Sequence, residues 1–168
     1  MCMFTLYKDP VIADHDIKCY KVVYLNYSDI YNDEPFKSMF YSFRYGIKKT
    51  YRLNEEFGPD TPVRSAADKE KGLTGVYIYT LNKGFHSYSS MTAVLANYSG
   101  CRNAIYEEII LKCVIPEGSV YYKGMNGELC SDTINVVGWQ TADMPHDDDR
   151  WIVINPWMRI VNKPDIIK

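Results

Sequence analysis

Apolar and polar residues alternate with a period of two over Glu108 to Ile115, with Ile109, Leu111, Cys113 and Ile115 on one side and Glu108, Ile110, Lys112 and Val114 on the other. That period predicts a strand, and Pro116 stops it because proline donates no ladder hydrogen bond. Glu117-Gly118 turns the chain into a second strand over Ser119 to Tyr122, and Thr133 to Val137 reads as another after a loop at Gly124 to Ser131. Ile17 to Leu25, rich in Val, Ile and Tyr and bounded by Asp16 and Asn26, is a strand by the same criteria, and Met39 to Tyr45 and Thr50 to Leu53 read likewise. Val76 to Leu81 fits a strand or a helix end, because so short a run has no decisive period. Trp151 to Ile154 and Trp157 to Val161 are strand-like runs separated by the turn dipeptide Asn155-Pro156.

The helical period appears clearly once, from Ser90 to Tyr98, where Met91, Val94, Leu95 and Tyr98 share one face. Ser89 or Ser90 can cap its start, and Asn97 to Gly100 tolerates the left-handed turn at its end. Asn54 to Gly72 is a polar stretch with Pro59 and Pro62 that predicts a surface loop, with room for a short helix over Val63 to Lys71. The expected fold is therefore α+β, a single domain over 1–168 of mostly antiparallel sheet with one or two short helices. Residues 1–137 form its core, and 138–168 are C-terminal strands or an extension.

At 168 residues such a chain buries roughly 70% of its unfolded surface and needs neither disulfide nor metal for stability. A 46% apolar and 24% charged composition excludes disorder as the main state. The 15 tyrosines suit half-buried sheet positions, and also clefts in which a nucleobase or sugar stacks on a ring. A net charge of −2, with no Lys/Arg cluster, argues against duplex nucleic acid as a partner. The 5 cysteines are odd in number and scattered, without ligand spacing, and read as reduced thiols. No basic-then-apolar leader and no run of 18 apolar residues is present, so no membrane is expected as a partner and a cytoplasmic location is.

Candidate chemistry concentrates at Gly84 to Met91. A strand here sends His86 and Tyr88 to one side and Phe85, Ser87 and Ser89 to the other before the helix begins. Helix-start amides with His86, Ser87, Tyr88, Ser89 and Ser90 would seat a phosphate or carboxylate. The alternative is that the serines only cap the helix while His86 bonds a carbonyl. Glu128, in the glycine-containing loop, would serve as a base or hold a ribose hydroxyl, or else be a solvated turn carboxylate. His146-Asp147-Asp148-Asp149 lacks calcium-loop spacing and reads as an acidic loop. Loss of Met1 would expose Cys2 as an N-terminal nucleophile. No phosphate loop, dinucleotide fingerprint or nucleophile elbow occurs, no metal site stands out, and no cofactor is expected.

Several segments together carry a resemblance: the opening Met-Cys, Ile17-Lys-Cys-Tyr-Lys-Val-Val, Lys83-Gly-Phe-His-Ser-Tyr, and Cys113-Val-Ile-Pro-Glu-Gly-Ser-Val-Tyr-Tyr-Lys-Gly. Over residues 1 to about 137 the chain resembles short accessory proteins of bacteriophages and prophages of gut bacteria. That likeness implies a host-cytoplasm setting in which small proteins bind or degrade nucleotide signals. The order of Tyr20 to Val23, Phe85 to Ser90, Ile115 to Gly118 and Glu128 is also similar to the ADP-ribosyltransferase-like fold. The chain departs from that family by lacking its arginine or histidine on the first strand, its Ser-Thr-Ser strand and its paired-glutamate loop. The leading expectation is a small anionic or nucleotide-like ligand at His86, Tyr88 and Ser90. The alternatives are a nucleotide-processing enzyme using Glu128, and a structural module or homo-oligomer using the tyrosine-rich sheet and the C-terminal tryptophan runs.

Overall fold

The computed structural model describes residues 3–39, 43–59, 63–64 and 77–140. Two long strands form its spine, β3 (Ile17–Asn26) and β10 (Tyr106–Ile115), antiparallel along their whole length with Cys19 opposite Cys113 and Val23 opposite Ile109. Around them lies a 10-stranded sheet. It contains β2 (Val11–Ile12), β4 (Phe36–Ser38), β5 (Arg44–Tyr45), β6 (Lys49–Arg52), β9 (Phe85–Tyr88), β11 (Val120–Lys123), β12 (Glu128–Ser131) and β13 (Thr133–Gln140). The spatial order is β2-β11-β12-β9-β3-β10-β13-β6, with β4 on β3 and β5 on β4. A 3-stranded sheet joins β1 (Met3–Thr5), β8 (Tyr77–Leu81) and β7 (Val63–Arg64).

The period-two rows become the two faces of the large sheet. One face carries Cys19, Val23 and Leu25 with Ile109, Leu111, Cys113 and Ile115, joined by Phe36, Phe85, Ile134, Val136 and Trp139 in the main core. The other face carries Val22 and Ile110, which pack with Tyr88 against the one α-helix among the described residues, α1 (Met91–Leu95), through Val94. Both faces of β10 are covered, so Glu107 to Cys113 are buried without a break.

Several expectations are corrected. The Ser90 to Tyr98 helix is only five residues long, Met91–Leu95, with Ser90 as its cap. Beyond it Asn97 and Tyr98 donate to Val94 and Leu95 carbonyls, a tighter turn that ends the helix. Helix is thus scarce among the described residues, and the fold is mostly antiparallel sheet with one short helix rather than clearly α+β. Gly124 to Ser131 is not a loop throughout, since a 3-10 turn at Met125–Gly127 leads into β12. Of Val76 to Leu81, Tyr77–Leu81 is strand, and of Met39 to Tyr45 only Arg44–Tyr45 is strand among the described residues. Val63–Arg64 is extended rather than helical. Thr133 to Val137 continues to Gln140 through a bulge, with Lys112 facing Gly138 while Cys113 faces Val136. Val137 is the extra residue, and it restores Trp139 to the core face. His146 to Asp149, Cys2 and the tryptophan runs lie outside the described residues.

Candidate functional site

The sheet opens beside β3. On that edge β9 pairs with β3 only at Tyr88 and Tyr20, and β4 takes over at Val23. The backbone at Lys21 and Val22 therefore has no strand neighbour on this side among the described residues. Here a cleft of about 1210 Å³ is bounded by β3, β5, β6, β9 and Glu128 of β12. That volume is ample for a small organic ligand.

Three short-range causes place β9. Gly84, with φ +100°, turns the chain where a Cβ would lie 2.5 Å from Cys130 Sγ, so the turn requires glycine. The β12 ladder then sets Cys130 opposite His86 and Glu128 opposite Tyr88. Finally the Ser89 amide donates to Gly127 O at 2.8 Å, and Ser90 Oγ accepts from the Ala93 amide at 3.1 Å.

The structure gathers His86, Ser87, Tyr88 and Glu128 on the cleft wall and leaves Ser89 and Ser90 exposed outside it. Ser90 is occupied as a cap, and a five-residue helix has little dipole to offer an anion. His86 Nε2 and Cys130 Sγ share a hydrogen bond at 3.7 Å. Burial, and secondarily the Lys21 charge, pulls the imidazole down to about 4, while burial pushes the Cys130 thiol up to about 12. Both groups are neutral at pH 7, so this pair is not an activated nucleophile. Ser87 is 2% exposed, and its Oγ finds no hydrogen-bond partner of ordinary geometry. Its polar neighbour is the Cys19 thiol. Glu128 makes no side-chain ion pair among the described residues, and burial raises its pKa. Burial, and then Glu128, raises Tyr88 as well.

The sequence reading passed over Lys21. It stands in the core-facing row Cys19, Lys21, Val23, Leu25 and is 9% exposed. Its Nζ donates to His86 O at 2.6 Å and lies 5.5 Å from the Tyr45 ring centroid. No carboxylate among the described residues pairs with it, and burial lowers its pKa. The signal was available as a lysine in phase with apolar residues. Arg52 also lines the cleft without an ion pair, whereas Arg44 is held by Asp29 at 2.9 Å and Lys83 by Glu55 at 3.1 Å. Phe43, Tyr45, Tyr51 and Phe85 form a cluster of tilted and edge-to-face rings with centroids 4.8 to 5.8 Å apart, and Phe43 is 40% exposed.

No protein-family model, curated protein or solved structure matches the chain. Among the described residues, no cluster of three or more His, Cys, Asp or Glu could hold a metal, and no helix is long and apolar enough to cross a membrane.

Proposed function

We propose that the cleft between β3 and β9 binds a small anionic, nucleotide-like ligand. The observation that carries this reading is Lys21, a buried lysine without an acidic partner among the described residues, on the wall of a cleft of about 1210 Å³. A buried charge normally has its counter-charge beside it. An anionic ligand supplies one. Ser87 Oγ adds a donor, the Phe43 ring offers a stacking surface, and Glu128 can accept from a sugar hydroxyl.

The test is a thermal-shift screen of the full chain against nucleoside mono-, di- and triphosphates, since a ligand held only by the folded state raises its apparent stability. ADP-dependent stabilisation that persists in Glu128→Gln and is lost in Lys21→Met supports binding. No shift with any nucleotide refutes it. The likeness to phage accessory proteins supports a setting in which the chain sequesters a host nucleotide signal.

A second reading, processing rather than holding, is favoured by the unpaired Glu128 carboxyl facing the same cleft. The order of β3, the Ser87-bearing strand leading into α1, and β12 supports an ADP-ribosyltransferase-like fold. Release of nicotinamide from NAD, abolished in Glu128→Gln, would establish that activity.

A further inference from the structure

We infer that anion binding in this cleft is coupled to uptake of one proton by Lys21, so that the ligand is held more tightly as the solution becomes more acidic. The inference rests on the ligand-binding reading above. Its basis is a count of donors and acceptors. An ammonium has three N–H groups to satisfy, a neutral amine fewer, and only a cation needs a counter-charge. In the ligand-free cleft the oxygen acceptor placed for Lys21 Nζ is His86 O at 2.6 Å.

The groups facing Lys21 offer no compensating negative charge. Cys19 on β3, Cys113 on β10 and Cys130 on β12 are neutral thiols, held so by burial. The His86 imidazole on β9 is neutral, and β5 presents the Tyr45 ring. Of the acids sharing the cleft, Glu34 is engaged by Lys49 at 3.6 Å and by the Tyr51 hydroxyl at 3.0 Å. Glu55 is engaged by Lys83 at 3.1 Å, and Glu128 forms no ion pair with Lys21. The cleft without ligand thus holds the Lys21 pKa below the ordinary lysine value. A phosphate entering beside it reverses the balance, supplying both the counter-charge and the missing acceptors, and the amine takes a proton from solvent.

Two measurements on the full chain test this. Lysines labelled with 13C at Cε are titrated by NMR, with the Lys21 signal assigned by its loss in Lys21→Arg. In the free protein it should titrate below the other lysines, and saturation with ADP should return it toward the ordinary lysine range. Calorimetry with ADP in two buffers of different ionisation enthalpy counts the protons. Above pH ~8, where phosphates and histidines are already deprotonated, proton uptake with ADP should appear and approach one per ADP between the free and the ADP-bound titrations of Lys21. Affinity should then fall by roughly tenfold per pH unit. Lys21→Arg, whose charge is fixed, should bind ADP without uptake.

ADP binding with no proton uptake, or a Lys21 that titrates with the surface lysines, overturns the inference and leaves the ligand reading standing. ADP and inorganic pyrophosphate that fail to bind at any pH remove the ligand reading, and the inference with it. If Lys21→Arg does not fold, competitive acetylation of the wild-type chain with peptide mapping gives the same titration, and an ordinary Lys21 profile there is equally decisive against it.

Discussion

Replacing His86 with glutamine should flatten the acid side of the stability profile. The imidazole is lowered from 6.5 to about 4, chiefly by burial and then by the Lys21 charge. Below about pH 6.5 the unfolded chain therefore binds a proton that the folded chain refuses, and stability falls as pH drops from there toward about 4. At ~1.4 kcal/mol per pH unit the full loss is on the order of 3 kcal/mol, and at pH ~5.5 it is already roughly 1.4 kcal/mol. Urea denaturation of wild type and His86→Gln at pH ~5.5 and ~7.5 reads this as a difference of differences. Glu128 has the opposite sign, because its raised pKa makes the folded state bind the extra proton, but it is present in both chains and cancels. An identical pH slope in the two chains would refute the claim that this imidazole is buried and neutral.

Three further outcomes follow from the same geometry. Gly84→Ala forces a Cβ to within 2.5 Å of Cys130 Sγ at φ +100°, and should cost at least about 2 kcal/mol by chemical denaturation. Ser90→Ala removes the oxygen that accepts from the Ala93 amide and should cost about 1 kcal/mol, with nucleotide-dependent thermal shifts unchanged because Ser90 lies outside the cleft. Glu108→Ala strands the Ser99 and Cys101 amides, which donate to Glu108 Oε2 at 3.1 and 3.3 Å, and the Ser99 hydroxyl that also binds it. A loss of roughly 2–4 kcal/mol is expected, with faster hydrogen exchange at both amides.

The parts of the fold legible in the sequence are those where one physical signal acts alone. The period-two runs Ile17 to Leu25 and Glu108 to Ile115 both fall inside long strands, which the structure extends to Asn26 in β3 and back to Tyr106 in β10. β13 was cut short at Val137 because phase breaks there, whereas the bulge absorbs the break and carries the strand to Trp139 and Gln140. Gly124 and Gly127 signal turns and so hide β12 in the sequence; they do form one, with the strand starting immediately after at Glu128. β1 and β2, at three and two residues, are too short for any period. In the site, the strand-to-helix junction supplied His86, Ser87 and Tyr88, and Glu128 was nominated from its loop. Lys21 and the ring cluster were missed because the Lys21 contact spans 65 residues and the gap exists only once strand order is known.

Whether that gap is a cleft with a purpose or a flaw in packing turns on what surrounds it. A lysine in the core row of β3 loses solvation, and one carbonyl at 2.6 Å offsets only part of that loss. A methionine of similar length would fill the same space without the penalty. Ser87, on the strand that should have closed the gap, is buried with the Cys19 thiol as the polar neighbour of its hydroxyl. A packing flaw would more naturally leave apolar surface against apolar surface, because dry voids are lined by aliphatic and aromatic side chains. Here two polar groups that are only partly compensated border one opening, with a carboxyl at its rim and an aromatic wall beside it. Each is costly alone, and one occupant carrying negative charge and hydroxyl groups relieves them together.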